Sequence, residues 1–390
     1  MSTKTTKTIQ QSFAAPFDYP VTFSRDVLAP ANDLLAETID RLGEKQRHRV
    51  SVFIDAGVTK THKDLPKKVE LYFKAHAKSL ELAAAPRVVP GGEDVKGDGM
   101  LLLGVMNSFV AQRLSRHGFV LIIGGGAVLD AIGFAASLIH RGLRVIRMPT
   151  TALAQCDSGV GVKTSINWDG KKNIAGTFAP PFAVLNDFDW LDSLPDAEWS
   201  AGIAEAFKVA IIKDAEFFTF LCDHAARLKS RDRAVLEQTI VRCAELHLEH
   251  IRTSGDPFEY GSARPLDFGH WAAHKLEAMS KYRIGHGQAV AVGIALDSIY
   301  AAKQKWIATA ELDRILTGLR AAGLTLWYPE LENTDKKGVL DLLAGLQDFQ
   351  EHLGGELCVT FPRGIGQKME ANQLDAAEVR KAIQKLKSEI

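Results

Sequence analysis

The segment that most constrains the fold is an apolar strand that runs directly into three glycines. Phe119-Val-Leu-Ile-Ile123 contains no polar residue, as expected of a parallel strand buried on both faces of a sheet. Gly124-Gly-Gly126 follows, and an apolar helical pattern begins at Ala127. Glycines at a strand-to-helix turn let a phosphate group approach the backbone and lie at the helix N-terminus. The segment predicts an α/β domain with a nucleotide site, although the spacing is not that of an ordinary G-x-G-x-x-G turn.

The patterns on both sides of this segment indicate two domains. Arg49-Val-Ser-Val-Phe-Ile-Asp55 is another buried strand, and its last residue, Asp55, is either a ribose ligand or an ordinary turn residue. After Asp189–Pro195, which we interpret as a hinge, helical patterns dominate. Because 390 residues are many for one core, two domains are expected. We predict an α/β domain with a Rossmann-like parallel sheet and a nucleotide site over residues 1–189, and an all-α domain over residues 190–390.

The composition disfavours several classes of partner. Lys+Arg and Asp+Glu both number 47, so no global charge favours nucleic acid or an anionic membrane surface. The chain has no run of 18 apolar residues and starts with a polar segment, which predicts neither membrane insertion nor export. Cys156, Cys222, Cys243 and Cys358 form no C-x-x-C pair, as is typical of proteins in a reducing compartment. We therefore expect a cytoplasmic protein that binds neither nucleic acid nor membrane.

A second informative stretch is Asp267-Phe-Gly-His-Trp-Ala-Ala-His274. Its histidines, His270 and His274, are four residues apart and would share one face of a helix. His286 follows after a glycine-containing break, and Glu205 lies far upstream. Two imidazoles, one carboxylate and an open position are what a catalytic zinc requires. Ordinary surface histidines are the alternative, and the spacing alone does not decide between the two interpretations.

Several motifs in a fixed order give the chain a family resemblance. These motifs are glycine-, lysine- or histidine-containing segments, namely Gly124-Gly-Gly-Ala-Val-Leu-Asp130, Arg141-Gly142, Pro149-Thr-Thr-Ala-Leu-Ala-Gln-Cys-Asp157-Ser158, Val160-Gly-Val-Lys163-Thr164, Lys172-Asn173, Ala201-Gly-Ile-Ala-Glu205-Ala-Phe-Lys208, Gly269-His270-x3-His274 and His286-Gly287. Together they resemble the 3-dehydroquinate synthase superfamily of sugar phosphate cyclases, from about residue 55 to residue 365. Within it, the chain is similar to the dehydroquinate-synthase-like proteins of the bacterial Ebo operon.

The resemblance implies NAD in the first domain, a divalent metal in the second, and an active site between them in a homodimer. The metal, Zn²⁺ or Co²⁺, would be held by Glu205, His270 and His286, with His274 beside the substrate phosphate. The residues that the family pattern assigns to NAD are Asp55, Glu93, Lys96, Gly124, Gly125, Gly126, Asp130, Thr150 and Thr151. The residues expected to bind a sugar phosphate or to act in catalysis are Arg141, Asp157, Lys163, Lys172, Asn173, Lys208 and His274.

The implied activity is that of a carbon–oxygen lyase acting on a ketose phosphate. NAD would transiently oxidise a ring hydroxyl, phosphate would leave by elimination, and an intramolecular aldol reaction would close a carbocycle after the hydride returns. Three alternatives stay open: 3-dehydroquinate synthase proper acting on the seven-carbon acid phosphate, a metal-dependent polyol dehydrogenase, and a catalytically silent family member. A dehydrogenase needs no phosphate-elimination residues, and intact metal and NAD motifs disfavour the silent protein.

The chain departs from the family pattern around the substrate. His247 stands where the family has a substrate-binding lysine, and Asp267 replaces an asparagine. Arg264 is one residue away from the usual arginine position, Gln288 replaces a glutamate, and the late lysine pair is missing from residues 350–354. Since the metal and NAD residues are kept, we expect the chemistry to be retained and the substrate to differ. A ketose phosphate without the carboxylate, with sedoheptulose 7-phosphate as first candidate, is the expected substrate.

Overall fold

A parallel sheet in the first half of the chain meets packed helices in the second. The computed structural model describes residues 7–169, 171–259 and 265–388. The strands are β1 (Val21–Ser24), β2 (His48–Asp55), β3 (Leu80–Leu82), β4 (Arg87–Val89), β5 (Phe119–Gly124), β6 (Arg144–Pro149), β7 (Lys163–Trp168), β8 (Lys171–Phe178), β9 (Ala183–Asp187), β10 (Val359–Pro362) and β11 (Lys368–Ala371). The helices are α1 (Leu34–Ile39), α2 (Ala56–Thr61), α3 (Leu65–Ala75), α4 (Asp94–Gly97), α5 (Gly99–Ala111), α6 (Gly126–Leu138), α7 (Asp196–Lys213), α8 (Ala215–Lys229), α9 (Arg233–Thr253), α10 (His270–Met279), α11 (His286–Lys303), α12 (Thr309–Ala321), α13 (Ala344–His352) and α14 (Ala376–Ser388).

The order of the strands indicates where along its edge a sheet of this kind binds a ligand. The strands run β1-β9-β6-β5-β2, and β3 and β4 both pair with β2, at its two ends. All of these pairings are parallel. The chain leaves β2 towards β3 and β4 on one side and returns at β5 on the other, so the order reverses between β2 and β5. In open parallel sheets, ligands bind at the carboxyl ends of the strands at such a reversal. Asp55 ends β2 and Gly124 ends β5, so the predicted glycine turn lies at this point.

Buried apolar side chains on both faces of the sheet explain the continuous apolar run in β5. One face packs against α1 and α3 through residues such as Leu35 and Val69. The other packs against α5 and α6 through residues such as Phe109 and Ile132. A layer of helices on each face of a parallel sheet confirms the predicted α/β class of the first half.

The second half has its own helical core. Phe207 of α7 and Trp271 of α10 are among its fully buried members. The antiparallel ribbon β10–β11 adds two short strands to this half. The segment interpreted as a hinge forms a short 3₁₀ turn, Phe188–Ser193, just before α7. The domain boundary at residue 189 stays a prediction.

Among the described residues, no helix combines the length and the apolar character needed to cross a membrane. The four cysteines are free thiols, two of which, Cys156 and Cys243, are buried near each other in sequence-distant elements. The cytoplasmic location stays a prediction.

One element, the hairpin β7–β8, was not predicted from the sequence. Its two strands pair antiparallel, with Lys163 opposite Phe178. It packs on α6 of the sheet domain, and its lysines reach across to the helical half. Half of the residues of β8 are exposed, so the apolar periodicity that identifies a buried strand is absent here.

Candidate active site between the two halves

A cleft of about 450 Å³ separates the carboxyl edge of the sheet from helices α7, α9, α10 and α11. Its sheet side comes from α4, α6, the hairpin and the π-helical turn Ala154–Ser158. Most residues that the sequence nominated for the site line this one cleft: Glu93, Lys96, Gly126, Asp130, Asp157, Lys163, Lys172, Asn173, Lys208, His247, Asp267, His270, His274 and His286. The structure thus brings together side chains that are up to 193 residues apart, since 286 − 93 = 193.

The remaining nominated cofactor residues lie beside the cleft, at the ends of the strands. The Asp55 carboxylate accepts a hydrogen bond from the Gly57 amide at 2.7 Å and lies 3.4 Å from the Gly125 amide. Asp55 therefore caps α2 and supports the glycine turn, which is the turn role left open by the sequence. The other nominated cofactor residues end β5 or follow β6 and are Gly124, Thr150 and Thr151.

One nominated substrate residue lies outside the cleft of this chain, and another lies outside the described residues. Arg141 follows α6 and is exposed, and it does not line the cleft. Arg264 lies outside the described residues. The cleft of a single chain is therefore built without Arg141.

The start of α6 fits the phosphate groups of a dinucleotide. Gly125 is the residue before the helix, and its extended backbone leaves the first amides of α6 facing the cleft edge. A Cβ atom on Gly126 would lie 2.6 Å from the Ser158 hydroxyl, so a larger residue here would displace that hydroxyl. Unpaired helix amides and a positive helix dipole favour an anionic group at this point.

A buried polar cluster continues from α6 towards the centre of the cleft. The Lys96 ammonium donates to Asp130 at 2.6 Å, to Ser165 at 3.1 Å and to the Asn173 side-chain oxygen. This lysine therefore ties α4, α6 and both hairpin strands together. Ser165 was missed by the sequence analysis, because nothing in the sequence distinguishes it from an ordinary strand residue.

The metal site nominated from the sequence is assembled by three helices. Glu205 of α7 is fully buried, and its Oε1 lies 3.8 Å from His270 Nε2 and 3.4 Å from His286 Nε2. The three candidate ligand atoms lie within 4.8 Å of one another. In the part of the chain that the structure describes, no hydrogen-bond donor meets Glu205 Oε1. A buried carboxylate oxygen without a donor is costly unless a cation meets it, so this set fits a divalent metal.

The other ring nitrogen of each candidate ligand is already engaged. His270 Nδ1 lies 3.1 Å from the Phe268 carbonyl oxygen, and His286 Nδ1 lies 3.0 Å from Glu277 Oε2. Both partners can only accept, so Nδ1 donates and Nε2 is left as the ligand atom. Zinc-bound histidines are commonly held in this way by a carbonyl or carboxylate.

Glu277 is the main residue of the metal site that the sequence analysis missed. It lies seven residues after His270 and three after His274, so all three share one face of α10, and this spacing was the available signal. A second set, His274, Glu277 and His286, also lies within 4.8 Å. However, Glu277 already accepts from Lys172 and from His286 Nδ1. The set with Glu205 is therefore the better candidate, and metal binding by this set stays a prediction.

The electrostatics of the site keep its carboxylates charged. Burial raises the pKa of Glu205, but the Lys208 charge, the contact with His286 and the His270 charge together lower the pKa to about 2. Burial likewise raises the pKa of Glu277, but the charges of His286 and Lys172 outweigh it and hold the pKa well below its usual range. For His286, burial lowers the pKa, whereas the Glu277 charge raises it to about 9. The buried anions hold positive charge at this point, in agreement with a cation site.

Close backbone contacts fix the distances between the three ligand-bearing helices. A Cβ atom on Gly287 of α11 would overlap Ala201 of α7. A Cβ atom on Gly293 would overlap the carbonyl oxygen of Gly269, the residue before α10. Gly269 also has φ of +78°, which favours glycine. The helix that carries His286 therefore touches both other ligand-bearing elements through backbone atoms.

Asp297 of α11 fixes the residues on both sides of His270. Its carboxylate accepts from the Gly269 amide at 3.1 Å and from the Trp271 indole at 2.9 Å. Burial raises the pKa of Asp297 to about 7, against the lowering effect of these two hydrogen bonds. The start of α10 is thus anchored to α11 at the metal ligand.

Every lysine on the described cleft wall is paired with a carboxylate. The pairs are Lys96 with Asp130 at 2.6 Å, Lys163 with Glu259, Lys172 with Glu93 at 2.8 Å and with Glu277 at 2.7 Å, and Lys208 with Glu205 at 2.5 Å. Lys163 is the most accessible of these lysines, with 52% of its side chain exposed, compared with 3–16% for the others. It is therefore the lysine that can most easily change its partner.

Helix α9 contributes two histidines to the opposite wall. His247 Nδ1 lies 2.5 Å from Asp157 Oδ1, which leaves its Nε2 in the cleft beside Gly161. Burial raises the pKa of Asp157, but the charges of Lys208 and His247 outweigh it and hold the pKa well below its usual range. His250 lies 3.5 Å from Glu259. The sequence analysis missed both His250 and Glu259, although His250 is almost one turn after His247 on α9.

Comparison with known proteins establishes the family. Residues 87–201 match the family described as 3-dehydroquinate synthase N-terminal, and residues 202–345 match the one described as 3-dehydroquinate synthase C-terminal. A 3-dehydroquinate synthase from Bartonella tribocorum (strain CIP 105476 / IBS 506) is 31% identical over 359 residues, which cover 91% of this chain and 92% of that protein. The chain belongs to the 3-dehydroquinate synthase family.

Solved structures of this family and its neighbours share the fold. A 2-epi-5-epi-valiolone synthase from Streptomyces hygroscopicus subsp. jinggangensis 5008, solved with NAD⁺ and Zn²⁺ bound, matches with a TM-score of 0.86 and 29% identity. The match covers 98% of this chain and 100% of that one. A 2-deoxy-scyllo-inosose synthase complexed with carbaglucose-6-phosphate, NAD⁺ and Co²⁺ matches with a TM-score of 0.74 and 21% identity, over 94% and 96% of the two chains. These matches confirm the predicted fold class and the resemblance to sugar phosphate cyclases. The finer resemblance to Ebo operon proteins stays a prediction.

Three departures from the 3-dehydroquinate synthase family pattern can be located in the structure. Asp267 lines the cleft, so the replaced asparagine adds a carboxylate there. Gln288 instead donates to the Ala197 carbonyl oxygen at 2.8 Å and so contacts the start of α7. Beside the position of the missing lysine pair, Asp348 and Glu351 of α13 pair with Lys275 and Lys171 at 3.1 and 3.0 Å. Each of these acidic side chains is therefore already paired with a lysine.

Proposed function

We propose that the protein is an NAD- and metal-dependent sugar phosphate cyclase whose ketose phosphate substrate carries no carboxylate. The complete pairing of the cleft lysines is the observation that carries this proposal. Lys163 can exchange Glu259 for the substrate phosphate, because its side chain is half exposed. Among the described residues, no further fixed cation then lines the cleft for a carboxylate. Sedoheptulose 7-phosphate is the first candidate substrate.

The cofactors follow from the two sites and from the solved relatives. The structures matched above contain NAD⁺ with Zn²⁺ or Co²⁺, and this chain has a matching donor set in Glu205, His270 and His286. When bound, NAD would supply reversible hydride transfer and the metal would polarise the oxygen undergoing oxidation. The α6 N-terminus and the cluster around Lys96 would hold the dinucleotide.

The other cleft residues divide between the phosphate and the sugar. Lys163, Asn173 and His274 come from both walls of the cleft, and charge-assisted bonds from such groups suit a phosphate. Asp157 and His247 would bind sugar hydroxyls, since a carboxylate and an imidazole nitrogen both hydrogen-bond to hydroxyl groups. An imidazole is not a fixed cation, so His247 is a poorer partner for a carboxylate than lysine is.

The expected preference for the carboxylate-free substrate over the acid substrate can be estimated from the cationic contacts that the chain has lost. Each charge-assisted contact is worth about 1.5–3 kcal/mol, so losing two would weaken the acid substrate by roughly a hundred-fold or more. The test compares phosphate release from sedoheptulose 7-phosphate and from the seven-carbon acid phosphate, with catalytic NAD⁺ and Zn²⁺ or Co²⁺. We expect faster turnover of the carboxylate-free sugar, with many turnovers per NAD.

Each alternative activity predicts a different result in the same assay. Faster turnover of the acid phosphate would identify 3-dehydroquinate synthase proper and contradict the proposal. Accumulation of one NADH per product without phosphate release would identify a polyol dehydrogenase. Neither signal across a broad panel of sugar phosphates would identify a silent family member.

We infer further that the protein is a homodimer and that Arg141 acts in the cleft of a second copy. Arg141 is exposed and outside its own cleft, at the end of α6. Nearby, Met100, Leu103 and Val110 are exposed on α5, which packs against α6, and an exposed apolar surface of this kind is typical of an interface. Light scattering measures the assembly. Mixed dimers of Arg141→Ala and Lys208→Met subunits should regain activity that neither variant has alone, and failure to do so would contradict the role of Arg141.

A further inference from the structure

A continuous row of charged contacts runs from the cofactor side of the cleft to the metal site. It begins at Glu93, just before α4, and passes to Lys172 of β8 at 2.8 Å. Lys172 then contacts Glu277 of α10 at 2.7 Å, and Glu277 contacts His286 Nδ1 at 3.0 Å. His286 faces Glu205 with its other nitrogen. The row therefore connects a nominated NAD residue to a nominated metal ligand across the two halves of the molecule.

Lys172 is the link between the two halves, and it is buried in the row. Only 16% of its side chain is exposed, and Glu277 is 2% exposed. Burial lowers the pKa of Lys172, but the charges of Glu277 and Glu93 outweigh it and raise the pKa above its usual value. Removing one partner from such a group leaves a buried charge without compensation. The position of the hairpin is therefore coupled to the position of Glu277.

The two other lysine contacts between the hairpin and the helical half differ from this one. Lys163 and Lys171 pair with Glu259 and Glu351, and more than half of each lysine side chain is exposed. Exposed pairs of this kind contribute little because water screens them. Within the described chain, the Lys172 contact is therefore the hairpin-to-helix ion pair that is shielded from solvent.

We propose that Lys172 couples the two cofactor sites, so that NAD⁺ and the divalent metal each increase the affinity of the protein for the other. The inference rests on the proposed function, since it requires both cofactors to bind. NAD⁺ at α6 would hold α4 and the hairpin together, and this would keep Lys172 between Glu93 and Glu277. Glu277 would then hold His286 with Nε2 directed at the metal. Because binding free energies are linked, the metal must tighten NAD⁺ binding by the same factor.

The experiment measures both affinities without substrate. The metal is removed with a chelator, and Co²⁺ is then titrated by its absorption with and without saturating NAD⁺. NAD⁺ is titrated by calorimetry with and without saturating Co²⁺. In the unmodified protein we expect NAD⁺ to tighten Co²⁺ binding by about tenfold, and Co²⁺ to tighten NAD⁺ binding equally, within the usual range of such couplings.

Two variants and a matched control test the role of Lys172. Lys172→Met should reduce the coupling factor to less than about twofold, whatever happens to the separate affinities. Glu93→Gln should also reduce the coupling factor, and it tests the same row of contacts if Lys172→Met does not fold. Lys171→Met changes the adjacent lysine of the same strand, which pairs with Glu351 at the surface, and should retain the full factor.

The outcomes separate this inference from the proposed function. Independent binding of NAD⁺ and Co²⁺ in the unmodified protein would overturn the coupling. An undiminished coupling factor in folded Lys172→Met or Glu93→Gln would overturn the role of the row of charged contacts. A folded, unmodified protein that binds neither NAD⁺ nor Co²⁺ would instead overturn the proposed function itself.

Discussion

The metal end of the cleft and the hairpin opposite it are held in place in different ways. At the metal end, three helices meet through backbone contacts, and each candidate ligand is fixed by a second hydrogen bond or by close packing. On the hairpin, lysines reach across the cleft to carboxylates of the helical half, and their side-chain exposure ranges from 16% to 61%. Helix packing thus fixes the metal geometry, while exchangeable ion pairs position the groups that meet the substrate. Changes at the metal end should abolish metal binding. Changes on the hairpin should instead reduce kcat/KM by amounts that differ from one lysine to the next.

The strongest test of this difference is removal of one metal ligand. His270→Ala should reduce the metal content from about one ion per chain to near zero and abolish turnover, because two ligands do not hold zinc well. Metal analysis of the purified, folded protein measures this. His274→Ala is the matched control: it should keep the metal and lose activity through the phosphate. Full metal content in His270→Ala together with loss of metal in His274→Ala would identify the second set, with Glu277, as the site.

The next largest effect should come from the buried lysine beside the metal. Lys208 is buried and pairs with the buried carboxylate of Glu205, so Lys208→Met leaves Glu205 without its lysine. We expect a loss of about 3–5 kcal/mol in the free energy of unfolding of the metal-free protein. Denaturant unfolding with a chelator present measures it. Added Zn²⁺ should recover part of the loss, and a variant as stable as the original would show that the helices do not depend on this charge.

The stability of the protein should depend on pH through Asp297, which anchors the start of α10 at the metal end. The pKa of Asp297 is about 7 in the folded chain and about 4 when unfolded, so the folded state holds the proton more tightly. The resulting stability is fully present below pH 4 and is lost as the pH rises towards 7. A difference of three pKa units corresponds to at most about 4 kcal/mol in the free energy of unfolding. Asp297→Asn should remove this decline. The free energies of unfolding of the original protein and the variant, measured between pH 4 and 8, should therefore differ more as the pH rises. Parallel curves would contradict the assignment.

The hairpin should show the smallest effects, graded by the position of each lysine. Lys163→Gln removes one charge-assisted contact to phosphate, worth about 1.5–3 kcal/mol, or roughly 10- to 150-fold in kcat/KM. Lys171→Gln, on the same hairpin but paired with Glu351 at the surface, should change kcat/KM by less than about twofold. Steady-state phosphate release measures both. Equal losses in the two variants would mean that the hairpin acts as a unit and not through Lys163.

Local patterns in the sequence predicted the sheet domain and the glycine turn at its carboxyl edge well. The apolar run Phe119–Ile123 and the glycines after it form one strand and one turn. The local sequence is therefore enough to predict their structure. The His270–His274 spacing likewise predicted a shared helix face. Spacing could not decide which histidine binds metal, because that depends on where α7 and α11 pack against α10.

Contacts between distant segments could not be predicted in the same way. Lys163 meets a carboxylate 96 residues away, and Lys172 meets one 105 residues away. Neither pair leaves a periodic signal, and the half-exposed hairpin itself was missed. The position of Arg141 depends on where α6 ends relative to the cleft, which its motif does not encode. The sequence therefore predicts the residue types of the site better than their partners.

The glycine contacts of α11 also bear on how such a protein can diversify. At Gly287 and Gly293 the spacing of the metal ligands is set by main-chain atoms, so it is insensitive to most side-chain replacements elsewhere on these helices. Helix α9, which carries His247 and His250, takes no part in these two contacts. Cleft-facing residues on α9 can therefore be exchanged one at a time while the backbone contacts that space α7, α10 and α11 stay the same.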